Sequence, residues 1–176
     1  MHIKTLKNYY FINSFDINNL QNQSKETIII YRNYTSSNIN IINLLKLKNF
    51  LNKKGNKFFL ANNFRLALNL GLDGVYIPSF NQKFDHLAFK LPNNFTVVGS
   101  AHNLREIRIK ELQGVQSIFI SSLFKKNKNY LGINKFKILK KCTKKNIVAL
   151  GGVSKSNIKK IRLINVSSFA GISFFE

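Results

Sequence analysis

The residues with the clearest chemical potential in this chain are a glycine pair and the hydroxyl that follows it, in Asn146-Ile147-Val148-Ala149-Leu150-Gly151-Gly152-Val153-Ser154. Ile147 to Leu150 is a short apolar run with β-branched residues, the pattern of a strand buried on both faces. Two glycines at its end let backbone N–H groups come close to an anion. Ser154 stands where an N-cap would open a helix over Lys155 to Leu163, with Ile158 and Ile161 facing inward. The same glycines also suit a plain tight strand-to-helix turn. Further on, Phe169-Ala170-Gly171-Ile172-Ser173 repeats the arrangement of apolar run, glycine and hydroxyl. Two such junctions side by side would form a barrel phosphate site from the loops after strands seven and eight, with Gly151, Gly152, Ile172 and Ser173 as its residues.

Eight short strands alternating with helices must position that site. Lys7 to Asn13 reads as the first strand, followed by a short helix within Asp16 to Gln23. Thr27 to Tyr31 is the second strand, with Arg32 directly at its C-terminal end. Ser36 and Ser37 can cap a helix from about Asn38 to Lys53, closed by Gly55. Lys57 to Leu60 is the third strand, and Asn62 or Asn63 caps Phe64 to Leu70. Gly74 to Ile77 is the fourth, stopped by Pro78, and leaves only Phe84 to Lys90 for a helix. Phe95 to Gly99 is the fifth strand, and Ser100 to Asn103 leads into a helix ending near Gln113. Ser117 to Ser121 is the sixth, followed by the basic loop Lys125 to Asn129 and a helix over about Asn134 to Lys145. This rhythm predicts an α/β fold, a compact and shortened (β/α)8 TIM barrel whose eighth helix is truncated or missing. An open flavodoxin-like sheet would leave too many strands unexplained.

The chain has 176 residues, 44% of them apolar, which suits one barrel domain over residues 1–176. No run approaches the length of a membrane span, and Met1 to Thr5 has no secretory-signal pattern. Cys142 is the single cysteine, so neither a disulfide nor a thiolate metal site is expected. These features point to the cytoplasm. Lys and Arg number 28 against 7 Asp and Glu, a net charge of +21, and no acid occurs from Leu112 through Phe175. Abundant Lys, Asn, Ile and Phe match an AT-rich coding bias, but that bias does not explain the scarcity of acids. A nucleic acid or other polyanion bound by the basic C-terminal half is therefore one functional reading.

Several segments carry a family resemblance. Leu66-Ala67-Leu68-Asn69-Leu70-Gly71-Leu72-Asp73-Gly74-Val75-Tyr76-Ile77 resembles the A-L-x-L-x-A-D-G-V-H-L segment of thiamine phosphate synthases. Val98 to Asn103 is similar to that family's G-x-S-A-H junction, Val148 to Val153 to its V-A-I-G-G-I, and Ala170 to Ser173 to its G-V-A-V-I-S. Ile30-Tyr31-Arg32 stands where the family has Q-L-R-E-K. The matches run in order from about Tyr9 to Phe175, and the family also includes the thiazole tautomerases.

The resemblance implies that hydroxymethylpyrimidine pyrophosphate and thiazole phosphate are joined to thiamine phosphate, with pyrophosphate leaving. It implies a thiazole phosphate held by the N–H groups of Gly152, Ile172 and Ser173, and Arg32 and Ser100 near the pyrophosphate. An arginine there offers an always-charged fork. Ser100 would serve equally as a helix cap, and His102 reads as a structural hydrogen-bonding residue. The departures are specific. Mg²⁺ is expected for the family, yet its two aspartate positions fall on Asn62 and Asn81, so the metal site looks degraded. The P-T-x-T-K loop aligns with Lys125-Lys126-Asn127-Lys128-Asn129, leaving Lys125, Lys126 and Lys128 as candidates to neutralise the leaving group. The lysine of R-E-K aligns with Tyr34, and the tautomerase histidine with Ser122. The readings are therefore a divergent synthase with activity weakened or lost, a repurposed phosphate-binding barrel, or a polyanion-binding protein.

Overall fold

The computed structural model describes residues 6–32 and 40–176. Tyr34, Ser36 and Ser37 lie outside the described residues. Eight parallel strands close on themselves in chain order: β1 (Lys7–Ile12), β2 (Ile28–Tyr31), β3 (Phe58–Ala61), β4 (Gly74–Ile77), β5 (Thr96–Ala101), β6 (Ser117–Ile120), β7 (Asn146–Leu150) and β8 (Ser168–Gly171). β1 pairs with both β2 and β8, which shuts the cylinder. Between the strands lie α1 (Ile17–Gln21), α2 (Ile41–Lys54), α3 (Phe64–Asn69), α4 (Leu104–Leu112), α5 (Gly132–Lys141) and α6 (Ile158–Leu163). After β8 the chain makes a turn in which Phe175 N–H bonds Ile172 C=O at 2.9 Å. The expected shortened (β/α)8 barrel is thus the observed fold.

Alternation along each strand divides the apolar residues into two cores. Register brings Tyr9, Ile28, Phe11, Ile30, Phe59 and Tyr76 to one side, and these fill the barrel with Val98, Phe119, Val148 and Ala170. The filling is aromatic: Tyr9 meets Phe119 edge-on at 4.8 Å, and Phe11 meets Tyr76 at 5.1 Å. Edge-to-face contacts let rings fill a narrow cylinder without facing their negative surfaces. The intervening residues, such as Ile29, Phe58 and Val75, pack outward against helix residues Leu47, Leu51 and Ile107. Phe136 of α5 is fully buried in this outer layer, and truncating it to alanine would cost about 3–5 kcal/mol.

Several helix boundaries differ from the sequence expectation. The segment Phe84 to Lys90 forms no α-helix, only a 3-10 turn at Asp85–Ala88. α5 spans Gly132–Lys141 rather than Asn134 to Lys145. It stops short because the hydroxyl of Thr143 bonds Glu111 at 2.6 Å and accepts from Lys145 N–H, drawing the chain out of the helix. α6 begins at Ile158, not Lys155, and Ser154 is not its cap. Asn157 takes over locally: its side chain accepts from Ser154 N–H at 3.0 Å and donates to Gly152 C=O at 2.8 Å. Asn63, not Asn62, caps α3 through Leu66 N–H at 3.0 Å.

Candidate functional site

At the C-terminal ends of the strands, a cavity of about 240 Å³ is lined by Phe11, Arg32, Ser121, Ser122, Lys125, Asn127, Leu150, Gly151, Gly152, Val153, Gly171, Ile172 and Ser173. Arg32, both glycines, Ile172, Ser173 and Lys125 are thus brought together. Lys126 and Lys128 are exposed on the same loop and do not line the cavity. Among the described residues no carboxylate lines it either.

The loops after β6 and β7 are sewn together beneath the cavity. Gly151 C=O accepts from Phe124 N–H at 2.8 Å and Lys125 N–H at 3.1 Å, and Leu150 C=O accepts from Leu123 N–H at 2.9 Å. Gly151 and Gly152 adopt φ of +97° and +76°. A Cβ on Gly152 would lie 2.5 Å from Lys125 N, and one on Gly151 2.5 Å from Ser122 Oγ. The glycines are therefore required first by contact between two loops, a reason the sequence pattern did not reveal. With both glycine carbonyls engaged by protein donors, the N–H groups of Gly152, Ile172 and Ser173 have no acceptor among the described residues. Backbone donors left free at a polar cavity suit a bound anion.

Arg32 lies over the Phe11 ring at 5.2 Å, which holds the guanidinium against the cavity floor. Ser100 faces into the barrel from β5 and is buried. It is hydrogen-bonded to Tyr76, whose hydroxyl burial pushes up to about 12, while Ser100 and the Arg32 charge pull the other way. Ser100 thus sits under the mouth and does not line the cavity. His102 pairs through Nδ1 with Glu106 at 2.9 Å, and Glu106 also accepts His102 N–H at 2.8 Å. That is the hydrogen-bonding structural part expected of it.

A second groove of about 510 Å³ opens between α3 and the β4–β5 loop; Asn62, Phe64, Arg65, Phe80, Asn81 and Lys83 contribute to its lining. The two positions singled out for a metal do meet there. Asn81 Nδ2 donates to Asn62 Oδ1 at 2.6 Å, and Asn81 Oδ1 accepts from Lys83 N–H at 2.9 Å. Asn62 has φ of +61°, a conformation asparagine tolerates better than most residues. The donor set does not fit a hard dication. Its amides are neutral and bonded to one another, and no cluster of three His, Cys, Asp or Glu exists among the described residues. Asp73 is occupied at the other end of β3, accepting Phe58 N–H at 2.8 Å.

Sequence reasoning missed a buried polar cluster behind this groove. Lys110 of α4 is 0% exposed, and its Nζ donates to Asn81 C=O and Gln113 Oε1, both at 2.7 Å. Gln113 Nε2 bonds the carbonyls of Asn81 at 3.1 Å and Lys83 at 2.8 Å, and its own C=O meets His86 Nε2 at 2.8 Å. Burial pulls Lys110 down to about 8, with the Glu106 charge acting against it. These bonds tie down a loop that lacks a regular helix. Two signals were present: Lys110 lies three residues after buried Ile107, and Gly99 leaves room for its stem, since a Cβ there would lie 2.8 Å from Lys110 Cδ.

Comparisons with known proteins agree with this architecture. A family described as thiamine monophosphate synthase matches residues 18–175. The chain is 27% identical over 120 residues to a thiamine-phosphate synthase of Methanococcus vannielii, covering 66% of this chain and 58% of that protein. It is 27% identical over 152 residues to one of Methanococcus maripaludis, covering 84% and 73%. Among solved structures, thiamine phosphate pyrophosphorylase from Pyrococcus furiosus superposes with a TM-score of 0.78 at 20% identity, over 97% of this chain and 87% of that one.

Proposed function

Since the chain belongs to the thiamine monophosphate synthase family, we propose that it joins hydroxymethylpyrimidine pyrophosphate to thiazole phosphate at the Arg32–Gly152–Ser173 mouth. The observation that carries this reading is one cavity where, among the described residues, two cations meet no carboxylate and three N–H groups have no acceptor. Gly152, Ile172 and Ser173 take the thiazole phosphate, which fixes the ring nitrogen toward the reacting carbon. Arg32 and Lys125 hold the pyrophosphate. The bond between the pyrimidine methylene and the pyrophosphate oxygen breaks, its electron pair leaving with the pyrophosphate. The thiazole nitrogen then donates its lone pair to the methylene carbon. Arg32, immobilised on Phe11, favours the separated charge of that step. Lys126 and Lys128, exposed nearby, add field rather than contact.

The experiment is calorimetric titration with thiazole phosphate and with the same thiazole alcohol lacking phosphate. Binding of the phosphorylated compound alone supports the cradle; equal affinity for the two would sink it. A second reading, binding without condensation, is favoured by the Asn62–Asn81 amide pair, because family members are expected to hold Mg²⁺ at those positions. Release of pyrophosphate on mixing both substrates separates the two.

A further inference from the structure

The charge asymmetry in the sequence becomes a surface in the fold. Residues 112–175 contain 13 Lys and Arg and no acid. In the barrel they follow β6 and β7, on α5, on α6 and on the loops beside them. α5 and α6 lie next to one another, since Lys140 of α5 donates to Ile164 C=O at 3.2 Å, just beyond α6. Lys135, Lys137 and Lys141 of α5 and Lys159, Lys160 and Arg162 of α6 are all exposed. Among the described residues the ion pairs are His102–Glu106 and Arg108–Glu111, on α4 and the residues just before it, so none of these six cations has a carboxylate partner.

We infer that the α5–α6 wall is a docking surface for the phosphate backbone of double-stranded nucleic acid, read by charge and not by sequence. Twelve of the 13 cations are lysines, point charges that suit phosphates and lack the fork that recognises guanine edges. Single strands are the poorer fit, because stacking platforms are scarce on this sector, where Tyr130 is the large exposed aromatic. A membrane surface fits less well too. An interfacial helix presents a continuous apolar face outward, whereas Phe136 of α5 and Ile161 of α6 are turned into the core, and the large apolar side chains these helices expose are Ile138 and Leu163, set among the six cations. The surface is separate from the condensation chemistry and does not depend on it.

The test is fluorescence anisotropy with a labelled duplex of mixed sequence, over a series of salt concentrations. A face making about six phosphate contacts gives a slope of log affinity against log salt near about −5. Reversal of Lys135, Lys137, Lys141, Lys159, Lys160 and Arg162 to Glu is expected to weaken binding at least about tenfold at about 0.15 M salt. A control reverses six exposed cations elsewhere, Lys25, Lys46, Lys53, Lys57, Lys90 and Arg105, for the same change in net charge. It should keep affinity within about threefold of the unmodified protein. Both sets are also made with Gln, so that a reversal that fails to fold is replaced by a milder one. Equal losses in the two sets, no binding by the unmodified protein at about 0.15 M salt, or binding to phosphatidylserine vesicles in preference to the duplex would each overturn the proposal.

Discussion

Replacing Lys110 with methionine offers a quantitative check on the buried cluster behind the β4–β5 loop. The side chain is fully buried, its stem lies over Gly99, and its amine is held near pH 8 against an ordinary value of 10.5. A lysine whose folded value is depressed binds fewer protons folded than unfolded between those limits, so stability rises with pH through that window. The shift corresponds to at most about 3 kcal/mol, at about 1.36 kcal/mol for each unit. Both hydrogen bonds survive deprotonation, because Asn81 C=O and Gln113 Oε1 take only two hydrogens and a neutral amine has two. Urea unfolding of the unmodified protein and of Lys110→Met at closely spaced pH values isolates the contribution of this amine, since other titrations cancel in the difference. The stability of the unmodified protein relative to the variant should be flat below pH 8 and climb by up to about 3 kcal/mol by pH 10.5. A difference that stays flat, or falls, would refute the burial of a charged amine behind the β4–β5 loop.

Gly152→Ala places a Cβ 2.5 Å from Lys125 N at a φ of +76°, and should cost about 1–3 kcal/mol while reducing thiazole phosphate affinity at least tenfold, by thermal melts and calorimetry. Asn62→Asp with Asn81→Asp replaces the amide pair by two like charges. That variant should melt lower in chelator and recover with Mg²⁺, whereas the unmodified protein should melt identically in both. Arg32→Met should weaken pyrophosphate binding about tenfold or more with little change in melting temperature, since the guanidinium faces the cavity from a half-buried position.

The barrel was legible because each strand is an apolar run short enough to bury on both faces, punctuated by Gly55, Gly71 and Pro78. Helix ends were less so. Thr143 and Asn157 compete through side-chain bonds whose partners, Glu111 and Gly152, a one-dimensional pattern cannot supply. The cavity residues after β2, β7 and β8 were legible by position, since strand ends of a barrel converge. Where Ser100 would lie was not, because its neighbour Tyr76 comes from the adjacent strand. Nor was the meeting of Asn62 with Asn81, 19 residues apart, or the buried ammonium that grips the second of them from behind.

The most direct test of the central claim is the formation of thiamine phosphate from the two phosphorylated precursors, followed with and without Mg²⁺ and in the presence of chelator. The arrangement of Arg32, Lys125 and the free N–H groups predicts slow product formation at a rate that neither metal nor chelator changes. Absence of product, or a rate that depends strictly on Mg²⁺, would contradict it.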